Sequence, residues 1–177
     1  MKKNMRLIKI LGEEDYQVFE RIFRVFEGEP FWEKWTDLMI LEAFKEFLLT
    51  GKMFAYEDYG LMNIQFNKKK LDSLPYEKWG NFIYLSDVAV LTNSRKQGVG
   101  SELIDYLIEY GYENKFDSLY FRTNYQGSML ANIGIKKGFE ILTDENNQII
   151  TEDVSFPRIK DDIAEVDTRQ YLYRKLR

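Results

Sequence analysis

Cysteine and histidine are both absent from this chain of 177 residues. The lack of cysteine excludes disulfide bonds, thiolate metal ligands and thiol nucleophiles. The lack of histidine excludes imidazole bases, Ser-His and Cys-His pairs, and imidazole metal sites. Any proton transfer therefore has to use Asp, Glu, Lys, Tyr, a chain terminus or water. We expect no metal site and no covalent intermediate on a side chain.

Proline, long apolar runs and excess positive charge are scarce as well. The chain has 3 prolines and a net charge of -4, with an isoelectric point near 5.1. This charge balance argues against nucleic acid as a partner and slightly favours a cationic one. The apolar run at residues 7–11 is short and is interrupted by Lys9, so it is neither a signal peptide nor a membrane span. We therefore expect no membrane partner and a cytoplasmic location.

The residues that are present are typical of one globular domain. Hydrophobic residues make up 45% of the chain and charged residues 31%. The 12 Tyr and 13 Phe suggest a core and a cleft built largely from aromatic rings. Since no internal repeat or flexible linker is visible, residues 1–177 are predicted to form a single domain.

Hydrophobic periodicity predicts a mixed α/β fold. Apolar residues at helical spacing predict helices over residues 13–26, 35–49 and 128–137, and a further one that begins near Gly100. Strands are predicted over residues 6–11, 53–56, 61–66, 82–90, 118–122 and 169–176, with a hairpin formed by residues 139–142 and 148–154. The nearly continuous apolar run 82–90 is typical of a strand buried on both faces. This order predicts a mixed sheet flanked by helices.

Glycine and positive charge are concentrated between the strand at residues 82–90 and the next helix. The sequence there is Arg95-Lys96-Gln97-Gly98-Val99-Gly100. Glycines remove the side chains that would keep an anion away from the backbone. The start of the helix offers free N–H groups and a partial positive charge, to which Arg95 and Lys96 add full charges. A diphosphate would find ready hydrogen-bond donors here.

Residue identity excludes two other kinds of phosphate-binding loop. A Walker loop needs Gly-Lys-Ser/Thr, whereas Gly100 is followed by Ser101 and Glu102. A dinucleotide fingerprint needs three spaced glycines, and only two are present. Taken alone, Gly98 and Gly100 are also compatible with an ordinary turn from a strand into a helix.

Three landmarks occur in a characteristic order along the chain. Arg95-x-x-Gly98-x-Gly100 follows the run 83–90, and Lys136-Lys137-Gly138-Phe139 comes later. In this the chain resembles the GNAT superfamily of acetyl-CoA-dependent N-acetyltransferases, which has an Arg/Gln-x-x-Gly-x-Gly/Ala signature, a fourth strand similar to 83–90 and a fourth helix that closes on Lys-x-Gly-Phe. The resemblance implies a central, mostly antiparallel sheet of six to seven strands with about four helices, splayed at the cofactor site.

The resemblance also implies where acetyl-CoA, as co-substrate, is bound. The backbone of the fourth strand would pair with the pantetheine arm, the loop amides would hold the pyrophosphate, and two asparagines lie where the family often contacts the cofactor. The positions are Val88, Ala89 and Val90 for the arm, Gln97, Gly98, Val99, Gly100 and Ser101 for the pyrophosphate, with Arg95 and Lys96 at the rim, and Asn124 and Asn132 as further contacts. The two asparagines are equally compatible with helix caps or turns. The backbone N–H near Val90 would bind the developing oxyanion.

The usual acid of the family is missing from the sequence. Many members carry a Tyr four residues before the closing Gly-Phe, and that position here is Gly134. Tyr125 or Tyr106 could substitute, although each could equally be a packing residue. Water, or the amine itself, is the other source of a proton for the leaving thiolate.

Asp87 is the best acidic candidate for acting on the amine. Tyr84-Leu85-Ser86-Asp87 is similar to the Tyr-Leu-Glu-Asp segment of diamine acetyltransferases, but Ser86 replaces the Glu. By strand alternation we expect Asp87 to face away from Ser86 and Val88. A carboxylate in an apolar strand needs a role or a partner, and a hydrogen bond to a neighbouring loop is the alternative. Glu57 and Asp58, at a hairpin turn, are expected to be solvated.

The acceptor pocket is expected to draw on the first helices and on the connection 67–81. Aromatic residues in these segments could bind an amine by cation–π contact or could simply cover the sheet, namely Phe31, Trp32, Trp35, Tyr76 and Trp79. The run Lys68-Lys69-Lys70 is interpreted as a solvated turn.

These expectations combine into one reaction, direct attack of a primary amine on acetyl-CoA in a ternary complex. A small molecule such as a polyamine, an amino acid or an aminoglycoside-like compound is the first choice of acceptor. A protein N-terminus or lysine is the alternative acceptor, and a CoA-binding module with little catalysis is the alternative from another class. Pairing through the C-terminal strand into a homodimer stays open.

Overall fold

The computed structural model describes residues 7–28, 36–125, 128–157 and 164–177, which form one sheet of eight strands and four α-helices. The strands are β1 (Ile8–Ile10), β2 (Gly51–Tyr56), β3 (Gly60–Phe66), β4 (Phe82–Val90), β5 (Ser118–Asn124), β6 (Glu140–Ile141), β7 (Thr151–Pro157) and β8 (Ala164–Lys175). The helices are α1 (Tyr16–Phe23), α2 (Asp37–Thr50), α3 (Val99–Glu113) and α4 (Met129–Lys136). The sheet order is β1-β2-β3-β4-β5-β8-β6, and β7 also pairs with β8. Only β4 and β5, among the pairs of the described residues, run parallel.

This architecture confirms the predicted mixed, mostly antiparallel sheet, with the eight strands that the hydrophobic pattern indicated where the resemblance implied six or seven. The hairpin predicted after α4 is confirmed near its turn. Its two arms meet at the bridge between Thr143 and Ile149, where the Asp144 N–H donates to the Gln148 carbonyl and the Ile150 N–H donates to the Leu142 carbonyl. Away from the turn, β6 and β7 each pair with the long strand β8.

Helices cover both faces of the sheet. The apolar stripes of α3 and α4 pack on one face, around Leu103, Leu107 and Phe121. On the other face, α1 and α2 bury a second cluster around Phe19, Phe44 and Met53. The predicted helix at residues 13–26 is regular only from Tyr16 to Phe23, with 3₁₀ turns on either side. Among the described residues, no helix is both long and apolar enough to cross a membrane.

The connection 67–81 closes the rest of that second face. Tyr76 and Trp79 are each 4% exposed and pack with Phe82, Tyr120 and Tyr171. The Tyr76 hydroxyl also accepts the backbone N–H of Lys70 at 2.7 Å. Tyr76 and Trp79 therefore cover the sheet, which was the alternative to binding an amine. Phe31, Trp32 and Trp35 lie outside the described residues.

Strand β4 is irregular at its centre, and this irregularity shapes the site. Asn63 of β3 pairs with Asp87, but the next residue, Ile64, pairs with Leu85, so Ser86 is an extra residue in β4. Such a bulge bends the strand and increases its twist. The parallel pairing of β4 with β5 ends at Leu85 and Phe121. Beyond the bulge the two strands separate, which is the expected splay.

Candidate active site

A cleft of about 570 Å³ opens where β4 and β5 separate. Its walls come from the end of β4, the start of α3, one side of α4 and the residues that follow α1. Ten of the residues predicted to bind the cofactor line it: Val88, Ala89, Val90, Arg95, Lys96, Gly98, Val99, Gly100, Ser101 and Asn124. The sequence did not reveal that Val25, Phe26, Met129 and Arg169 would also line it.

The edge of β4 that faces this cleft carries backbone groups that are not paired within the sheet. The N–H of Leu91 donates to the carbonyl of Tyr59 at 2.9 Å, so Leu91 and, two residues earlier, Ala89 direct their polar groups towards β3. Alternation then turns the polar groups of Val88 and Val90 towards the cleft. The Val90 carbonyl accepts Nε of Arg95 at 3.2 Å, and its N–H points the same way. An extended amide chain could pair with this edge as an additional strand would.

The loop from β4 to α3 presents the helix start to the same cleft. Gly98 is the N-cap of α3, has a φ of 91° and provides no side-chain cap. A Cβ at Gly98 would meet nothing within 4 Å, so the space beside it is open. The first N–H groups of α3 therefore lack intrahelical acceptors and lie next to empty space, as an anion-binding helix start requires.

The remaining predicted contacts are placed at the rim or beyond it. Gln97 is exposed, and its Nε2 donates to the Asn93 carbonyl at 3.0 Å. Asn132 is exposed on α4 and does not line the cleft. Asn124 lines it, with its Oδ1 accepting a hydrogen bond from Arg169 at 2.6 Å. Asn124 is thus fixed in position, while Gln97 contributes through its backbone at most.

Close packing explains the glycine at position 134. A Cβ there would lie 2.7 Å from Cζ of Phe121 and 3.4 Å from Cδ2 of Leu172, both of which are buried in the core. A tyrosine therefore does not fit, and α4 lies correspondingly close to β5. Neither Tyr106, which packs on Phe54, nor Tyr125, which is 38% exposed, lines the cleft.

Asp87 lies at the bulge, on the face of the sheet that α1 and α2 cover. Nδ2 of Asn63 lies 3.4 Å from its Oδ2, and the hydroxyl of Ser86 also hydrogen-bonds its carboxylate. The expectation that Asp87 faces away from Ser86 is therefore wrong, because the extra residue in β4 breaks the alternation there. Burial raises the pKa of Asp87, and the two hydrogen bonds and the charges of Lys70 and Arg122 only partly oppose this. A carboxyl with a raised pKa is well suited to accept a proton.

Charged residues and one buried tyrosine extend from Asp87 along the same face. We call them the acceptor-side cluster, and its members are Lys70, Tyr84, Asp87, Arg122, Glu152 and Arg169. Arg122 donates to Glu152 at 2.9 Å, and the hydroxyl of Tyr171 donates to the same oxygen at 2.5 Å. Burial raises the pKa of Tyr84, which keeps its phenol neutral. Sequence reasoning missed this cluster except for Asp87, although charged residues inside the predicted strands were a signal for it.

Two groups of charged residues were predicted to be solvated, and the structure confirms this for one group but not for Lys70 of the other. Glu57 and Asp58 are exposed at the β2–β3 turn, where Asp58 pairs with Arg21, so their solvation is confirmed. Lys70 is not part of a solvated turn. Its side chain is half-buried and its Nζ lies 5.1 Å from the centre of the Tyr84 ring. The buried phenol face below it holds Lys70 against the sheet.

The mostly antiparallel sheet that opens into a cleft between β4 and β5 is a fold of the GNAT type. The model of the acetyltransferase (GNAT) family matches residues 30–129, more than half of the chain. The chain therefore belongs to the acetyltransferase (GNAT) family.

Solved structures of the same fold cover nearly the whole chain. An N-acetyltransferase from Staphylococcus aureus has a TM-score of 0.66 at 13% identity, over 96% of this chain and 98% of that one. A ribosomal-protein-alanine N-acetyltransferase from Brucella melitensis has a TM-score of 0.66 at 17% identity, over 96% and 99%. An acetyltransferase from Bacillus subtilis in complex with CoA has a TM-score of 0.59 at 16% identity, over 96% and 97%. No curated protein sequence matches.

Proposed function

We propose that the protein transfers an acetyl group from acetyl-CoA to the primary amine of a small molecule, by direct attack in a ternary complex. One observation carries the proposal. Asp87, a carboxyl with a raised pKa, lies one residue before the stretch of β4 that turns free backbone groups into the cleft. The proton acceptor Asp87 and the oxyanion donor Val90 therefore lie three residues apart on one strand.

The residues of the cleft fit the co-substrate in two places. The open edge at Val88 and Val90 suits the amides of the pantetheine arm. The uncapped start of α3, with Arg95 and Lys96 nearby, suits the pyrophosphate. When bound, acetyl-CoA supplies an activated acyl group on a good leaving thiolate.

The proton balance assigns a task to Asp87. An alkylammonium ion has to lose one proton before its nitrogen can attack, and the Asp87 carboxylate accepts it. The nitrogen forms a C–N bond to the acetyl carbon as the C–S bond breaks, and the N–H of Val90 stabilises the charge on the carbonyl oxygen. The second proton of the nitrogen goes to the thiolate, directly or through water, which accounts for a site without the usual tyrosine.

The acceptor side supports a small molecule as substrate. Its charged groups are half-buried between strands, with Arg122 and Glu152 exposing 27% and 24% of their side chains. Such groups are better placed to surround a small molecule than to bind an extended peptide on an open surface.

Release of free CoA tests the proposal. The protein is loaded with acetyl-CoA and mixed with a panel of small amines and, separately, with peptides that have free N-termini. We expect turnover with small amines and formation of the N-acetyl product. Turnover with peptides alone would show that the acceptor is a protein and not a small molecule. Tight binding of acetyl-CoA without any turnover would identify a CoA-binding module.

A further inference from the structure

Lys70 is a half-buried cation without a carboxylate partner. Among the described residues, no carboxylate oxygen lies within ion-pair distance of its Nζ, which rests over the ring of Tyr84. Burial lowers the pKa of Lys70, and repulsion from Arg122 and Lys68 adds to this effect. An ammonium ion held in this way is costly unless an anion joins it.

The guanidinium groups of the acceptor-side cluster already have partners. Arg122 is paired with Glu152 at 2.9 Å, and Arg169 with Asp167 at 2.6 Å. These two pairs balance in charge, so the positive charge that is left over is that of Lys70. Arg122 has five donors and uses one in the bond to Glu152, so it can still add a hydrogen bond to an anion beside Lys70.

Asp87 does not remove that positive charge. It lies close enough for its charge to raise the pKa of Lys70, yet the two side chains do not form an ion pair. In the reaction proposed above, Asp87 is reserved for the ammonium group of the acceptor. Asp87 and Lys70 therefore offer one negative and one positive group to one molecule on the same face of the sheet, because Asp87 and Tyr84, whose ring lies under Lys70, are three residues apart on β4.

We propose that the acceptor is an amine that also carries a carboxylate, bound with its amine at Asp87 and its carboxylate at Lys70 with help from Arg122. This inference rests on the proposed function. A carboxylate, with a single charge, matches the single unpaired cation and leaves the occupied acceptor-side cluster neutral. The net negative charge of the chain by itself would favour a purely cationic acceptor. The nearby charge of Lys70 has the larger effect on which acceptor binds, because solvent ions screen the more distant charges.

Matched substrates test the inference. Acetylation of the common amino acids is compared with that of their α-amides, which lack the carboxylate, and binding of the N-acetyl forms of both series is measured with the CoA complex. We expect kcat/KM to be about 10- to 100-fold higher for the best acid than for its amide, the usual value of a hydrogen-bonded charge. Lys70→Met should bring this ratio close to one, and Lys70→Arg should preserve most of it. Lys69→Met, at an exposed neighbour, should leave it unchanged.

The outcomes separate the two proposals. Turnover in which amides or simple amines equal or exceed the acids would overturn the carboxylate site and leave the acetyltransferase activity in place. A preference that survives in Lys70→Met would also overturn it. Absence of any turnover together with equal binding of both series would overturn both proposals.

Discussion

The cofactor cleft, which is the donor end of the site, and the acceptor-side cluster, which is its acceptor end, are built in different ways. The donor end is made mainly by one continuous stretch, residues 88–101, and most of what this stretch offers is backbone on β4 and at the start of α3. The acceptor end collects side chains that are far apart in the chain, from Asn63 on β3 to Glu152 on β7. Backbone groups are supplied by almost any residue that keeps the conformation, whereas side-chain groups depend on identity. Substitutions at the donor end should therefore act by filling space or adding charge near the backbone. Substitutions at the acceptor end should act by removing a particular functional group.

The largest expected effect is at the acceptor end. Asp87→Asn removes the proton acceptor while keeping the size of the side chain, so kcat/KM near neutral pH should fall by about 100-fold or more. The loss should shrink as the pH rises, because free amine then becomes plentiful. Initial rates across the pH range, with saturating acetyl-CoA, measure this. A loss that is equal at every pH would indicate a structural role for Asp87, and the affinity for acetyl-CoA serves as control.

At the donor end, charge can be separated from shape at one position. Gly98→Asp places a carboxylate beside the pyrophosphate site and should weaken acetyl-CoA binding by about 100-fold. Gly98→Asn is the matched control, since Asn has nearly the same size and tolerates the φ of 91° better than most residues. We expect it to lose less than about tenfold. Calorimetric titration gives both values, and an equal loss in both variants would point to backbone strain instead of charge.

The two glycines in helices of the cleft should respond oppositely to the same substitution. Gly134→Ala brings a Cβ to 2.7 Å from the buried ring of Phe121 and should cost about 1–2 kcal/mol of unfolding free energy. Gly100→Ala places its Cβ at 3.7 Å from Ile133, an ordinary contact, and should stabilise α3 by up to about 1 kcal/mol. Urea denaturation of both variants compares them. A stabilised Gly134→Ala would show that α4 can move away from β5.

The smallest expected effect is a gain in stability at the acceptor end. Because burial raises the pKa of Asp87 above its ordinary value of 3.8, the folded state holds this proton more tightly than the unfolded state does. Stability is therefore lost as the pH rises from 3.8 through the raised value, and at neutral pH the charged form is penalised.

Asp87→Asn removes that penalty. At neutral pH it should raise the unfolding free energy by about 0.5–1 kcal/mol, the usual size of such gains, even though activity falls. The gain should narrow as the pH falls towards 3.8. Urea denaturation as a function of pH measures it, and a variant that is less stable than the parent at neutral pH would contradict the burial argument.

The same contrast explains what could be predicted from the sequence. The donor end is continuous in the chain, so the run 83–90, Gly98 and Gly100 could be identified from their spacing, and the family and the overall fold followed from them. The bulge at Ser86 depends on how β3 pairs with β4, which no local pattern encodes. It reversed the predicted orientation of Asp87 relative to Ser86.

Long-range packing accounts for the other misses. Lys70 belongs to a run of three lysines that is typical of a solvated turn, yet the packing of Tyr76 and Tyr84 brings it onto the sheet. The hairpin predicted for residues 139–154 forms only near its turn, because farther from the turn both arms pair with the long strand β8. In each case a contact across many residues outweighed the local signal.

The most direct test of this account is a titration of acetyl-CoA into the protein and into Gly98→Asp, followed by addition of a small amine panel to each complex. We predict stoichiometric binding to the parent, release of free CoA when the accepted amine is added, and loss of both in the variant. A parent protein that does not bind acetyl-CoA, or a variant that binds it equally well, would contradict the assignment of the cleft.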